Sequence, residues 1–472
     1  MDNSLLGTNL QDTLINIRDY LGTPADLKEV TSNNGETAIL YYEGLVHEDK
    51  IRLLLNDSPA TFQEVADLKT AVDSLPQGHA LIIRQAKKPS FYTISLPGWQ
   101  LRPIEEPISE PMIRGPREGF TETISVNTAM IRRWIHDPKF RVDEMTVGVR
   151  TKTAVRVLYI SDIAAPKMVN EVKRRISAIQ IDGVIESGYL EQLITDNRLT
   201  IFPIIQSTER TDKVAAAVLE GRVAIMVDKS PYALIVPTTV NELYQSPEDY
   251  YFSFYLGSFL RFFRILGNNL AVAFSGLYVA LASSNPELLP TSFAFSIAES
   301  RRGIPYPIFI EVLLLEIMLE VFREAGLRLP KNISLTLGTA VGLALALAAI
   351  QTNLVSGATL VVVTIGGIAS FSAPSFSVGI PWRVFKFLMI FGAAFLGIVG
   401  LTLVGILILA HAATLTSFGT SYLAPWAPLQ PKELRDAVFR QPLWMRFTRP
   451  KTYRPTDQQR MANTENEDEN EE

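Results

Sequence analysis

The sequence contains no cysteine, which excludes disulfide bonds, thiolate metal sites and cysteine nucleophiles. A P-loop and a glycine-rich dinucleotide fingerprint are also missing. The four histidines are widely scattered, and no two of them have the spacing of a zinc site. We therefore predict that the chain is not an enzyme and that it has no catalytic residue, no metal site and no cofactor.

Charge is missing from one long stretch, because Asn332 to Trp382 contains no Asp, Glu, Lys, Arg or His. A membrane-spanning helix needs about 20 apolar residues, so this stretch can hold two spans with a turn near Gln351. Phe387 to Ala410 is another uncharged run. Charged residues are spread evenly up to about Ser246. The sequence therefore predicts a soluble N-terminal half followed by a membrane half.

The net charge of −5 is too small to indicate nucleic-acid binding. A signal peptide is not evident, because Met1 to Tyr20 mixes Asp12, Arg18 and Asp19 with its apolar residues. We expect the soluble half to remain in the cytoplasm.

In the soluble half, segments rich in β-branched and aromatic residues alternate with helical patterns, which predicts an α/β fold. The predicted strands include His79 to Arg84, Thr146 to Val149 and Val155 to Ile160. The segments that begin at Gly78 and at Gly221 both contain a glycine, a strand, a polar turn, a strand and a proline. They are interpreted either as parts of two related lobes or as two unrelated hairpins, which are common. The stretch from Pro97 to Pro116 contains five prolines and is interpreted as the linker between lobes.

The predicted architecture is an α/β two-lobed soluble N-terminal domain followed by an all-α multi-pass membrane domain of four to six segments. We divide the chain into lobe 1 (residues 1–110), lobe 2 (111–246), a transmembrane domain (247–425) and a polar C-terminal tail (426–472) that is partly disordered.

The first predicted span runs from Ile265 to Pro286. Arg261 and Arg264 precede it, so the positive-inside rule places its start on the cytoplasmic side. Leu288 to Ala298 is too short to span alone and is interpreted as a re-entrant segment. Two further spans are predicted, from Leu354 to Ala373 and from Val384 to Ala410.

The segment from Pro305 to Leu329 predicts a helix that carries four carboxylates among apolar residues: Glu311, Glu316, Glu320 and Glu324. In one interpretation the helix is interfacial, with these carboxylates in water or paired to Arg323 and Arg328. In the other, membrane carboxylates such as Glu311, Glu316 and Glu320 line a hydrated vestibule for cations. Both interpretations remain open at the level of sequence.

The side of the membrane on which the chain ends is open as well. If the carboxylate helix is interfacial, the positive-inside rule conflicts with the basic tail, which would lie outside. If that helix crosses, the tail lies inside, but Arg383 and Lys386 fall outside.

The segment from Ile333 to Ile350 predicts a helix with a small-residue stripe for close helix packing, formed by Gly338, Gly342 and Ala346. If several copies surround an axis, Leu343 and Leu347 are candidates for a hydrophobic gate. Thr336 and Ile350 are further candidates for the pore surface of this helix.

Several strings resemble the A subunits of spore germinant receptors. They are RGPREGFTE from Arg114, NTAMIRR from Asn127, DGVIESGYLEQLI from Asp182, STERTDKVAAAVLEGRVAIMVD from Ser207, SPEDYY from Ser246, IPYPIFIE from Ile304, REAGLRLP from Arg323 and SFGTSYLAP from Ser417. The resemblance covers most of the chain and is weakest before Arg114. The sequence departs from the family pattern at Thr211 and Ser421, where proline is usual, and it lacks a glutamine expected near Leu347.

The resemblance implies a nutrient receptor in the inner membrane of a dormant spore, whose soluble domain lies in the spore core. It implies two partners, a permease-like B subunit and a lipoprotein C subunit. It also implies a homo-oligomeric ring in the membrane lipid that opens as a ligand-gated cation channel, with Leu343 at the constriction. The missing glutamine means that the ion selectivity of the family is not transferred to this chain.

Two other functions are compatible with the residues. One is a membrane-tethered scaffold or nutrient-binding subunit without conduction. The other is a secondary transporter, although such transporters generally contain two repeated membrane halves and four to six segments leave no room for both.

Overall fold

The computed structural model of the chain describes residues 5–7, 9–32, 36–54, 63–65, 67–84, 90–98, 107, 109–328 and 342–461. Lobe 1 contains a five-stranded antiparallel sheet in the order β1-β2-β4-β5-β3. Its strands are β1 Leu27–Thr31, β2 Thr37–Tyr42, β3 Gln63–Glu64, β4 His79–Arg84 and β5 Ser90–Ser95, and its helices are α1 Leu10–Leu21, α2 Glu48–Leu54 and α3 Leu68–Asp73.

Helix α1 shows why the first elements form where they do. The side chain of Asn9 accepts a hydrogen bond from the Asp12 amide at the helix start, and Gly22 ends the helix with a φ of 71°. Leu14, Ile17 and Leu21 lie on one face and are buried against the sheet of lobe 1.

Lobe 2 contains a second five-stranded antiparallel sheet, in the order β6-β7-β9-β10-β8. Its strands are β6 Phe140–Val147, β7 Thr153–Ile160, β8 Gln206–Thr208, β9 Val223–Val227 and β10 Ala233–Val236. Its helices are α4 Ile124–Trp134, α5 Pro166–Ser177, α6 Ser187–Ile194 and α7 Thr211–Leu219. The two sheets have the same order of strands, and the segments from Gly78 and Gly221 form the equivalent pairs β4–β5 and β9–β10. This agreement favours two related lobes over unrelated hairpins.

The two lobes contact each other through buried ion pairs. Arg132 of α4 has no exposed surface and donates two hydrogen bonds to Asp26, one of them at 2.9 Å. The guanidinium of Arg132 also lies 3.8 Å from the centre of the Tyr42 ring. Arg156 of β7 donates to Glu43 at 3.1 Å.

The C-terminal half forms a helix bundle. It follows α8 Val240–Tyr244, which ends lobe 2, and its helices are α9 Glu248–Tyr251, α10 Phe254–Val279, α11 Thr291–Ser300, α12 Ile308–Arg328, α13 Gly342–Gln351, α14 Gly357–Ala369 and α15 Phe376–Thr414. In the described part of the chain, two helical segments are long and apolar enough to cross a membrane, Phe254–Ser284 and Val378–Thr414. α13 and α14 are shorter apolar helices.

Contacts along α10 establish the direction of its neighbours. Near the soluble lobes, Gly267 of α10 lies against Ser372, just after α14. Further along, Ser275 donates to Glu316 of α12, and Tyr278 is hydrogen-bonded to Thr359 near the start of α14. The residue numbers of α14 fall as those of α10 rise, so α14 runs antiparallel to α10. Helix α12 contacts α14 through Glu311 with Thr359 and through Arg323 with Gly367, so it runs parallel to α14 and antiparallel to α10.

Helix α15 reverses direction at Gly397, where φ is 60° and ψ is −139°. The two arms then run side by side, and a Cβ on Gly400 would lie 1.9 Å from the carbonyl oxygen of Gly392. The prediction of a single span from Val384 to Ala410 is therefore wrong, because this run is a helical hairpin. Its second arm returns to the end of the bundle from which the first arm starts.

After the hairpin, the chain packs against lobe 2. Two short strands, β11 Thr416–Ser417 and β12 Thr420–Ser421, pair with each other, and the hydroxyl of Ser417 accepts from the Thr238 amide at 2.9 Å. We refer to residues 422–461 as the C-terminal segment. Tyr453 of this segment donates to Glu242 at 2.7 Å. The end of the described chain therefore lies on the same side of the bundle as the soluble lobes.

Candidate functional site in the helix bundle

The carboxylate of Glu311 is buried near the start of α12. It accepts from Arg301 Nε at 2.7 Å, from the Ser356 amide at 2.9 Å and from the Thr359 hydroxyl at 3.1 Å. Ser356 is the residue that caps α14, so this carboxylate also faces the positive end of a helix. Glu311 thus joins α12 to α14 and to the loop after α11.

Glu316 is completely buried one and a half turns further along α12. Its carboxylate accepts from the Ser275 hydroxyl at 2.6 Å and forms a very short contact with the ammonium of Lys386. Lys386 is only 2% exposed. Because each charge is removed from solvent, each depends on the other for its stabilisation. The pair connects α12 with α10 and with the first arm of α15.

Glu320 pairs with two cations, Arg383 Nη1 at 2.5 Å and Arg323 Nη1 at 3.2 Å. Glu324 pairs with Arg328 on the exposed surface. The predicted pairing with Arg323 and Arg328 is therefore present, but α12 is not a surface helix. Its N-terminal half is inside the bundle, and each of the four carboxylates pairs with a cation of the same chain.

The described part of α13 presents a leucine face to the outside of the single chain. Leu343 is 65% exposed, Leu347 51% and Ile350 38%, whereas Ala349 on the opposite face is buried in the bundle. The side of Gly342 is open too, because a Cβ placed there would have no described neighbour within 4 Å. Ala346, one turn further on, is half-buried. Thr336 and Gly338 lie outside the described residues.

The cations predicted to precede the first span lie within α10 and are not free to meet lipid. Arg261 is fully buried and donates to Asp249 at 3.0 Å and to the Asp436 carbonyl at 2.6 Å. Arg264 forms two hydrogen bonds with the Asp249 carboxylate, both at 3.0 Å. This ion-pair network joins α9, α10 and the C-terminal segment.

The phenol of Tyr250 completes the network by donating to Asp436 at 2.8 Å. Burial, together with the nearby Asp436 carboxylate, raises the pKa of Tyr250 above its ordinary value. The hydroxyl therefore stays protonated at physiological pH and acts as a donor. The network can couple the position of the C-terminal segment to the base of α10.

The sequence did not predict the partners of Arg261 or of Glu316. Asp249 and Asp436 are separated from Arg261 by 12 and 175 residues, and Glu316 is 70 residues from Lys386. The available signal was Lys386 itself, a cation directly before an apolar run, since such a charge usually has a partner.

The chain is similar to a family of known proteins over most of its length. The family model described as "Bacillus/Clostridium GerA spore germination protein" matches residues 16–452. "Spore germination protein GerLA" from Bacillus cereus is 35% identical over 475 residues, which cover 95% of this chain and 96% of that protein. "Spore germination protein B1" from Bacillus subtilis is 35% identical, with 96% of this chain and 99% of that protein covered.

Two further comparisons concern a membrane protein and a solved structure. "Uncharacterized membrane protein YfkQ" from Bacillus subtilis is 37% identical over 89% of this chain and 81% of that protein. The crystal structure of the N-terminal domain of the A subunit of the Bacillus megaterium spore germinant receptor GerK3 is 32% identical and covers 49% of this chain and 95% of that chain, with a TM-score of 0.36.

Proposed function

This chain belongs to the Bacillus/Clostridium GerA spore germination protein family, and from that premise we propose that it is the A subunit of a nutrient germinant receptor. Its partners are a permease-like B subunit and a lipoprotein C subunit, and its location is the spore inner membrane with the soluble lobes in the spore core. The relatives named as spore germination proteins, which align over nearly the whole chain, support this proposal.

The proposed topology has six crossings, formed by α10, α12, the predicted helix from Ile333 to Ile350 of which α13 is the described part, α14 and the two arms of α15. The antiparallel contacts of α10 with α12 and α14 support it, as does the reversal at Gly397. An even number of crossings places the C-terminal segment on the same side as the soluble lobes, where it contacts lobe 2. Arg383 and Lys386 then need no place on the outer side, because they pair with Glu320 and Glu316 inside the bundle.

The proposed activity is cation conduction through a ring of several copies, which releases ions and triggers germination. The observation that carries it is the leucine face of α13, since Leu343 and Leu347 are exposed on one side of a helix whose other side is buried. Large apolar side chains that surround an axis form a constriction that excludes water. The chain has no enzymatic role in this proposal.

A non-conducting scaffold is the second candidate. The observation that favours it is the ion-pair network at Arg261, which joins the C-terminal segment to α10 and provides a path for signalling without a pore.

Ion flux from vesicles that contain the purified chain tests the proposal. Replacing Leu343 by Ala is expected to produce a constitutive leak, because a smaller side chain widens the constriction and lets water enter. The matched control is Leu403→Ala, which shortens a leucine that is 50% exposed on the second arm of α15. Vesicles that stay tight with Leu343→Ala would overturn the gate assignment, and a purified particle with the mass of one chain would overturn the ring.

A further inference from the structure

A group of large apolar side chains is exposed around the first turns of α10. Tyr255 and Phe259 of α10 are 74% and 58% exposed, and Phe439 and Trp444 of the C-terminal segment are 62% and 63% exposed. The two elements touch, since the rings of Phe254 and Trp444 meet edge to face with centroids 5.7 Å apart. We call this surface the aromatic foot, and it comprises Phe254, Tyr255, Phe259, Phe439, Leu443, Trp444 and Met445.

The backbone of the C-terminal segment is fixed at this place. The Arg440 amide donates to the Ser258 hydroxyl at 3.0 Å, and its guanidinium donates to the Phe252 carbonyl at 2.8 Å. Asp436 accepts from the Gln441 amide at 3.0 Å while it also pairs with Arg261. The polar groups of the segment therefore face α10, and the aromatic side chains are left on the outer surface.

The length of the first apolar helical segment shows where this surface lies relative to a bilayer. Phe254–Ser284 contains 31 residues, which corresponds to roughly 46 Å of helix. The hydrocarbon core of a bilayer is about 30 Å thick. About 15 Å of a helix along the bilayer normal extends beyond the core, and the ion pairs of Arg261 and Arg264 place this excess at the end near the soluble lobes.

We propose that the aromatic foot is embedded in the headgroup layer of the membrane, so that the C-terminal segment is an interfacial anchor for lobe 2. Trp and Tyr side chains favour this layer because their rings are apolar and their polar atoms reach water. The foot is continuous with exposed Phe262, Phe263 and Leu266 further along α10, on the surface that faces lipid in the proposed topology. Lys432 and Arg435 are exposed next to it and can meet anionic headgroups.

The absence of cysteine makes a direct test simple, because a single engineered cysteine is the only reactive thiol. Trp444→Cys and Phe439→Cys, each in the full chain, are labelled with a polarity-sensitive fluorophore and reconstituted in phosphatidylglycerol-containing vesicles. Lipids that carry a nitroxide quencher near the headgroup are then compared with lipids that carry it deep in the acyl chain. We expect quenching at both sites, and stronger quenching by the headgroup-proximal nitroxide.

Two further labels serve as references. Val149→Cys is at a position 71% exposed in the turn between β6 and β7, at the end of the sheet opposite to Thr238 and its contact with Ser417, and it should stay in water. Leu266→Cys lies just inside the hydrocarbon core in the proposed first span, so the deep nitroxide should quench it more strongly than it quenches either foot label.

The inference rests on the membrane placement of α10 in the proposed function, and the Leu266 label separates the two. Quenching at Leu266 with Trp444 and Phe439 in water overturns the anchor alone. An apolar but unquenched environment at Trp444 and Phe439 also overturns it, because protein and not lipid then covers the foot. No quenching at Leu266 overturns both the anchor and the proposed span.

Discussion

Glu316 and Lys386 form a buried charge pair between α12 and the first arm of α15. Neither side chain is more than 2% exposed, and the only other described hydrogen bond to the Glu316 carboxylate comes from Ser275. Removing one partner of such a pair leaves an unpaired charge in an apolar environment, which costs more than the pair itself contributes. The pair therefore determines how α12 packs against α15 more than it adds to total stability.

We predict that Glu316→Ala destabilises the helix bundle by about 3–5 kcal/mol, because Lys386 is left buried without a counter-charge. The matched control is Glu324→Ala, which removes another carboxylate of α12. The side chain of Glu324 is 62% exposed, and that of its partner Arg328 is 79% exposed. That change should cost less than about 1 kcal/mol. Unfolding in detergent micelles measures both. Equal losses in the two variants would contradict the assignment, and Glu316→Leu combined with Lys386→Met should recover stability relative to Glu316→Ala.

A titratable residue of lobe 2 gives a prediction for pH dependence. Burial, with a smaller contribution from the Glu186 carboxylate, raises the pKa of Glu191 from its ordinary 4.5 to about 7. Folding then disfavours the ionised form, so this residue reduces stability as the pH rises from about 4.5 to about 7.

Glu191→Gln should therefore leave stability unchanged near pH 4.5 and increase it at pH 8 by about 1–2 kcal/mol. Thermal unfolding of the full chain at the two pH values, with and without the substitution, gives the difference. Glu171→Gln is a useful comparison, because Arg174 and Arg175 lower the pKa of Glu171 to about 2 and its loss should not stabilise the protein at high pH. A stability gain that is the same at both pH values would contradict a titrating Glu191.

At the scale of the element, the reversal of α15 depends on one backbone conformation. Gly397 has a positive φ that side chains rarely tolerate, and a Cβ at this position would lie 2.5 Å from Asn285 Oδ1. The Asn285 side chain also accepts from the Ile398 amide at 3.1 Å. Asn285 directly follows the helical segment Phe254–Ser284, so the turn is fixed against the end of that segment.

Gly397→Ala should accordingly destabilise the bundle by about 1–3 kcal/mol through backbone strain and the clash with Asn285. Gly405→Ala is the control in the same hairpin, since the nearest atom to its added Cβ is Met389 Cε at an ordinary 3.5 Å. Denaturation in detergent distinguishes the two variants. If Gly397→Ala were as stable as Gly405→Ala, the reversal would not be located at this residue.

The elements of the soluble lobes could be predicted because their signals are local. The alternation of β-branched residues predicted strands from His79 to Arg84 and from Val155 to Ile160. The first has the bounds of β4, and the second covers all of β7 except its first two residues. Only the end of β6 was predicted, from Thr146, because Arg141, Asp143 and Glu144 interrupt its pattern.

The hairpin of α15 could not be predicted because a single glycine in an apolar run gives no local sign of a reversal. A run from Val384 to Ala410 has the length and composition of one span. The turn is determined by contacts with Asn285, which is more than 110 residues away along the chain. The pairs of Glu316 with Lys386 and of Arg261 with Asp436 escaped prediction for the same reason.

At the scale of the whole molecule, the soluble lobes, the base of α10 and the C-terminal segment are one connected assembly. Arg446 contacts Glu220 of lobe 2 at 3.2 Å and Asp436 at 3.3 Å, and Asp436 in turn pairs with Arg261 of α10. The charged groups at this junction are largely buried, so these contacts fix lobe 2 to the base of α10.

This connection predicts a specific membrane topology, because the C-terminal segment can contact lobe 2 only if both lie on the same side of the bilayer. Three single-cysteine variants of the cysteine-free chain test it: Val149→Cys in lobe 2, Lys451→Cys in the C-terminal segment and Glu287→Cys in the connection between α10 and α11. All three positions are exposed. In sealed vesicles, a membrane-impermeant maleimide should label Val149→Cys and Lys451→Cys from one side and Glu287→Cys from the other. Labelling of Lys451→Cys together with Glu287→Cys would mean an odd number of crossings between lobe 2 and the C-terminal segment, which the reversal at Gly397 and the contact between Tyr453 and Glu242 do not allow.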